Sequence, residues 1–178
     1  QGHVVEPHTL DVGKQFVDDF LVYWGLLAVG IVVGGRFGFP EFDPRRLDPL
    51  THGLHRHFLT TAPRRPGFLR RLKQVGRHYD DEFVHHDVLL SPVLAHRTPE
   101  LGRLHPAVPF EELRDRLVNY VGFTPLQNVA GAPAIALPGG RTADGLPIGV
   151  QLAGPVGDER TLIELAYLLE AERSWPLL

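Results

Sequence analysis

Two short apolar segments bracket the strongest turn signal in the chain, and they constrain the fold more than any other feature. Ala134-Ile135-Ala136-Leu137-Pro138 and Ile148-Gly149-Val150-Gln151-Leu152 lie on either side of Asp144-Gly145. Apolar runs this short, rich in β-branched residues and ended by Pro or Gly, read as strands, and Asp-Gly between them reads as a hairpin turn. A hairpin cannot stand alone in water, so it needs further strands or helices to cover it.

The rest of the chain supplies candidates. Asp87-Val88-Leu89-Leu90-Ser91-Pro92 reads as a fully buried strand and Val4-Val5-Glu6-Pro7 as a short one. Helices are expected at 10–33, with Thr9 or Asp11 as N-cap, and at 44–60, 67–84 and 109–120. A last helix is expected from Arg160 to Ala171, capped by Asp158 and ended by Trp175-Pro176. The stretches 34–44, 93–108 and 123–133 read as loop or irregular chain. Residues 1–86 are thus mostly helical, and 87–178 form a strand and helix core around a hairpin at 134–152, all within one domain. Helices interleaved with short apolar strands imply an α/β class, a mixed β-sheet flanked by helices. Four strands are few for so apolar a pattern, and further strands from elsewhere would complete it.

The longest apolar run, Phe20 to Gly35, is shorter than the roughly 20 residues that span a bilayer and carries four glycines. It reads as a buried helix or pocket wall, with Trp24 a candidate to reach a pocket. A net charge of −3 gives no basic field for nucleic acid. No secretory signal opens the sequence, and a cytoplasmic location is expected. Absences weigh more. There is no Cys and no Met, and there are only two Ser (Ser91, Ser174) and two Lys (Lys14, Lys73). Nucleophilic chemistry built on Ser with a Ser or Lys relay has little to work with.

The segment 123–152, FTPLQNVAGAPAIALPGGRTADGLPIGVQL, closely resembles the C-terminal segment of amidase-signature enzymes. Its Gly131-x-Pro133-Ala134 entry, its strand into Pro138-x-Gly140 and its Gly145-Leu146-Pro147-Ile148-Gly149-Val150-Gln151 return all fit. Asp158-Glu159-Arg160-Thr161-Leu162, the strand 87–92 and Gly2-His3-Val4-Val5 extend the likeness. It is strong from Asp87 onward and weak before about Asp80.

The resemblance implies the C-terminal part of the amidase-signature fold and an amidohydrolase. Such an enzyme cleaves a carboxamide to a carboxylate and ammonia or an amine by Ser-based acyl transfer, without cofactor or metal. The family's two Ser and its Lys lie upstream, so this chain is expected to be a C-terminal fragment with no catalytic residues, inactive alone. The missing N-terminal half, an amide substrate and further copies of the chain are its expected partners. By the same resemblance, Phe123, Thr124, Leu126, Gln127 and Asn128 border the acyl side of the substrate pocket, with Thr124 and Gln127 as hydrogen-bonding groups. The alternative is a non-catalytic binding or interaction module of amidase ancestry. His52, His55 and His57 match no zinc spacing, and no metal is expected.

Overall fold

The computed structural model describes residues 4–172 of the 178. Gln1 to His3 and Ser174 to Pro176, which carried parts of the expected first strand and the expected end of the last helix, lie outside the described residues.

The apolar run becomes helix α1, Phe16–Val29, which continues through a π-helical turn, Gly30–Gly34, into a short helix α2, Gly35–Gly38. α1 starts six residues later than expected. Thr9 and Asp11 do not cap it; the Asp11 carboxylate instead accepts from the Gly13 N–H at 2.8 Å, and Gly13 turns the chain with φ of 76°. The expected loop after residue 34 is helical through Gly38. The stretch Phe16–Gly34, 19 residues, is long and apolar enough to cross a membrane by length and composition. Its own contacts argue for a packed helix: Phe16, Leu21, Val22, Gly25 and Ala28 are buried, and so is Asp19. Gly25 lies where α1 crosses α3, Pro49–Thr61. A Cβ there would come within 2.7 Å of the Leu54 carbonyl oxygen, so only glycine allows this approach.

α3 starts as its sequence dictates, with Pro49 in the first turn and the Asp48 carboxylate accepting from the Thr51 N–H at 3.0 Å. α4, Phe68–Asp81, runs under α1 and buries Leu72 and Tyr79. The two helices are tied by charge. Asp19 is 1% exposed, and its carboxylate takes a fork from Arg71, Nε at 2.5 Å and Nη2 at 2.7 Å. A third contact comes from Arg65 Nη1 at 3.3 Å; Arg65 also pairs with the exposed Asp18.

The strands are β1, Leu89–Pro92, β2, Ala134–Arg141, and β3, Pro147–Ala153, in the order β1-β3-β2. The hairpin is as expected, with β2 paired to β3 and the Thr142 N–H donating to the Leu146 carbonyl at 2.8 Å across the turn. The pairings among these three strands are antiparallel, within the expected α/β arrangement. Two expectations need correction. Residues 4–7 form no strand: Val4 and Val5 are 86% and 77% exposed, with no neighbouring strand to take their main-chain bonds. β1 is not buried on both faces, because it is an edge strand and Leu90 faces out at 58% exposure.

α5, Phe110–Tyr120, precedes a helix the sequence reading missed: α6, Pro125–Ala130, replaces the expected irregular chain. Pro125 in its first turn and Gly131 at φ 70° after its last were the available signals. α7, Glu159–Glu172, closes the fold, and the Thr161 hydroxyl donates to the Asp158 carboxylate at 2.9 Å. Two cores result. Phe16, Leu72, Tyr79 and Leu126 join α1, α4 and α6, whereas Leu137 and Leu152 of the sheet meet Leu162 and Ala166 of α7.

Replacing Asp19 with Ala leaves two partly exposed guanidinium groups without their shared partner and is expected to lower unfolding stability by about 1–3 kcal/mol in urea titration. Asp18→Ala, at an exposed pair, is expected to cost less than about 1 kcal/mol. Equal effects would contradict the special role of the buried carboxylate.

Candidate functional site

The residues 123–128 sit at the start of α6. Thr124 ends its hydroxyl on the Val121 carbonyl at 3.3 Å, and the Asn128 amide donates back to the Thr124 carbonyl at 3.0 Å. Both groups therefore hold the turn in this conformation. Asn128 is exposed, and Phe123 is 39% exposed. Leu126 points the other way, into the core with Phe16, Leu72 and Tyr79. Gln127 is buried as well.

Gln127 belongs to a polar link between α6, α4 and the end of β3. The Tyr79 hydroxyl donates to the Gly154 carbonyl at 3.2 Å. Burial pushes the Tyr79 phenol up to about 12, and the Gln127 side chain opposes part of that shift. Gln127 Oε1 is buried without a partner. On the sheet, Gln151 shows the complementary defect: its Nε2 is buried and unpaired. The cross-strand neighbours of Gln151 are Ser91 and Ala136. The sequence pattern exposed Gln151 as a polar residue in an apolar strand. Tyr79 was legible only as one member of a helix face.

Trp24 is not brought to this place. Phe16 is the α1 residue that shares a cluster with Leu126, and Trp24 lies eight residues further, about 12 Å along the axis. The half-buried Trp24 ring sits beside Phe20, with centroids 6.4 Å apart. A separate open groove of about 470 Å³ lies between the 96–105 loop and α5. It is lined by His96, Arg103, Glu112, Asp115, Arg116 and Asn119 among others, and it includes none of the residues expected at the substrate pocket.

The described Ser and Lys side chains do not meet. Ser91 is half-buried on β1, whereas Lys14 and Lys73 are exposed on the helical side. Among the described residues no three His, Cys, Asp or Glu side chains are grouped to hold a metal. Of the α3 histidines, His57 packs against Phe110, centroids 6.3 Å apart, and burial, then the Arg114 charge, hold its pKa below the usual histidine value.

Comparison with known proteins gives this geometry a setting. A family model described as Amidase matches residues 2–163. The "Putative amidase AmiC" of Mycobacterium leprae is 46% identical over 173 residues, covering 97% of this chain and 36% of that protein. A 6-aminohexanoate-cyclic-dimer hydrolase of a Pseudomonas species is 38% identical over 95 residues, 50% of this chain and 19% of its own. The solved structure of a 6-aminohexanoate cyclic dimer hydrolase superposes with a TM-score of 0.64 at 24% identity, over 92% of this chain and 37% of that one. The chain thus spans about a third of the length of its first curated relatives.

Two outcomes are expected. The folded Tyr79 phenol titrates above the unfolded value near 10, so the stability it contributes is full below pH 10 and lost as pH climbs through about 12. Tyr79→Phe should flatten that alkaline loss in unfolding curves and remove a phenolate step near 12 from the ultraviolet titration. Gln151→Leu removes a buried donor without a partner, and its urea midpoint should stay equal or rise, by up to about 1 kcal/mol. A loss of 2 kcal/mol or more, well beyond that range, would mean that the amide is satisfied.

Proposed function

The chain belongs to the amidase family, and on that premise we propose that it builds one wall of an amidohydrolase pocket while the reacting groups come from residues outside these 178. The parent activity is cleavage of a carboxamide to a carboxylate and ammonia or an amine. One observation carries the division of labour: the chain has two Ser, two Lys and no Cys, and the residues of these types that are described lie apart.

Acyl transfer needs a nucleophile, and a Ser hydroxyl is weak at its own pKa. A Lys can serve as its base when burial lowers its pKa enough to keep it neutral. Lys14, in the turn before α1, and Lys73, on α4, are exposed, which supports reading both as ordinary surface charges. Ser91 lies on the sheet between Leu90 and Pro92, with Gln151 across from it and no base described beside it. A wall role suits α6 better. Its short helix fixes a buried Leu126 and Gln127 on one side and presents Phe123 at the surface. In this reading Phe123, Thr124 and Asn128 border the acyl group of the substrate, the buried Leu126 and Gln127 anchor that segment from behind, and the N-terminal half of the same enzyme supplies the Ser nucleophile. Trp24 remains a candidate only where that second half extends the pocket along α1.

The isolated 178 residues are expected to release no ammonia from simple aliphatic or aryl carboxamides in a coupled glutamate dehydrogenase assay. Turnover above the buffer blank, retained after Ser91→Ala, would overturn the proposal, because another group within these 178 residues would then be the nucleophile. Turnover that Ser91→Ala abolishes would overturn it more simply, by making Ser91 the nucleophile.

A further inference from the structure

Positive charge is concentrated in one stretch of a chain whose net charge is −3. Residues 63–78 hold Arg64, Arg65, Arg70, Arg71, Lys73 and Arg77 and no acidic residue. The turn before α4 and the first residues of α4 bring four of these arginines to one corner. Like charges this close repel, so a corner of this kind needs counter-charge.

The chain supplies only part of it. Arg71 gives its fork to Asp19 and a further N–H, from Nη1, to the Pro66 carbonyl at 2.9 Å. Arg65 pairs with Asp18 and Asp19. Arg64 and Arg70 are exposed, and among the described residues no carboxylate is paired with either. α4 has no acidic residue in its first turn. Two carboxylates thus serve four guanidinium groups, which leaves two positive charges over.

Gly67 shows where the excess is focused. It turns the chain into α4 with φ of 76°. A Cβ built on it would lie 3.7 Å from Nη1 of Arg71, and 3.9 and 4.0 Å from Nη2 and Nε of Arg70. Two guanidinium groups therefore converge on a point that has no side chain in it. Arg71 is held there by Asp19 and Pro66, so the N–H edge of Arg70 stands beside a fixed charge. A planar carboxylate carries one charge and matches one fork, as Asp19 does with Arg71. A phosphoryl group carries nearly two charges at neutral pH and three acceptor oxygens. It can take N–H groups from both arginines and cancel the excess, and Arg suits it better than Lys because the fork is rigid.

We propose that Arg70 and Arg71, converging over Gly67, bind the phosphoryl dianion of a small soluble phosphate ester. The site lies on the helical half of the fold, shares no residue with the 123–128 segment, and does not depend on the amidase reading.

The test titrates the 15N-labelled 178-residue chain with inorganic phosphate and with glycerol 3-phosphate at constant ionic strength. The Nε–Hε resonances of the arginines are followed by NMR. Those of Arg70 and Arg71 are expected to shift together along one saturable curve. Arg70→Gln should weaken binding about tenfold or more, as loss of a charge-assisted pair of hydrogen bonds implies. Arg70→Lys keeps the charge without the fork and should fall between the two. Arg77→Gln removes the same charge about 10 Å further along α4, roughly a screening length at 0.1 M salt, and should change the affinity less than about twofold. Arg70→Gln should leave the urea midpoint unchanged, because Arg70 has no described ion-pair partner to lose.

A shift that never saturates, or equal weakening by Arg70→Gln and Arg77→Gln, would reduce the corner to a diffuse positive field and overturn the site. Acetate binding as tightly as phosphate would overturn its choice of a dianion. Sedimentation of the chain with phosphatidylcholine vesicles containing phosphatidic acid, undisplaced by glycerol 3-phosphate, would give the corner to a lipid surface and contradict the proposal.

Discussion

The helical half of this molecule turns on one buried carboxylate. Asp19 sits on the inner face of an otherwise apolar helix, almost wholly out of water. An isolated charge there would be very unfavourable, and it is tolerated because Arg71 meets it with a fork and Arg65 with a third contact. Both arginines reach in from partly exposed positions, so their own desolvation is modest. Geometry matters more than net strength here. A bidentate Arg–carboxylate pair fixes the rotation of α1 about its axis, and that rotation decides which residues the helix buries. Phe16 goes to the α4–α6 core, Gly25 goes against α3, and Leu27 and Ile31 are left half exposed.

From that anchored face the order passes to the sheet through α4 and α6. Tyr79 on α4 touches Leu126 in the core and reaches the Gly154 carbonyl just beyond β3. The candidate pocket segment is thus backed by a side chain that belongs to a different helix. Two buried amide atoms on this side of the fold find no partner, Gln127 Oε1 and Gln151 Nε2. Satisfied backbones and side chains are the rule in folded proteins, so these two atoms mark where the described chain is least self-sufficient. Gln151 lies across the ladder from Ala136 on β2 and Ser91 on β1.

The hairpin, the helix 67–84 and the helix 109–120 were legible because each carries its own punctuation and period. Asp144-Gly145, the three-and-four spacing of Leu72, Val75 and Tyr79, and Pro109 each act locally. What failed was set by distant partners or by their absence. Val4 and Val5 have strand-forming side chains but no strand beside them. Leu90 looks like core but sits on an edge. The start of α1 moved because Asp11 bonded to its neighbour Gly13 rather than capping a helix, a local competition that side-chain type alone does not decide. α6 was missed although Pro125 and Gly131 bracket it, because six residues give too little periodicity to read. At the candidate site the sequence pointed to the segment 123–128 and to the odd polarity of Gln151. The Tyr79 link depends on a contact across 75 residues, which no spacing rule contains.

The central claim is that these residues shape an amidase pocket and do not supply its nucleophile. It is tested most directly by a covalent label. An active preparation containing this chain is treated with a fluorophosphonate, which phosphonylates activated serines, and the adduct is located by peptide mass spectrometry. The account predicts stoichiometric labelling, loss of amide hydrolysis, and an adduct on a serine outside the 178 residues. An adduct on Ser91 or Ser174 that tracks the loss of activity would contradict it.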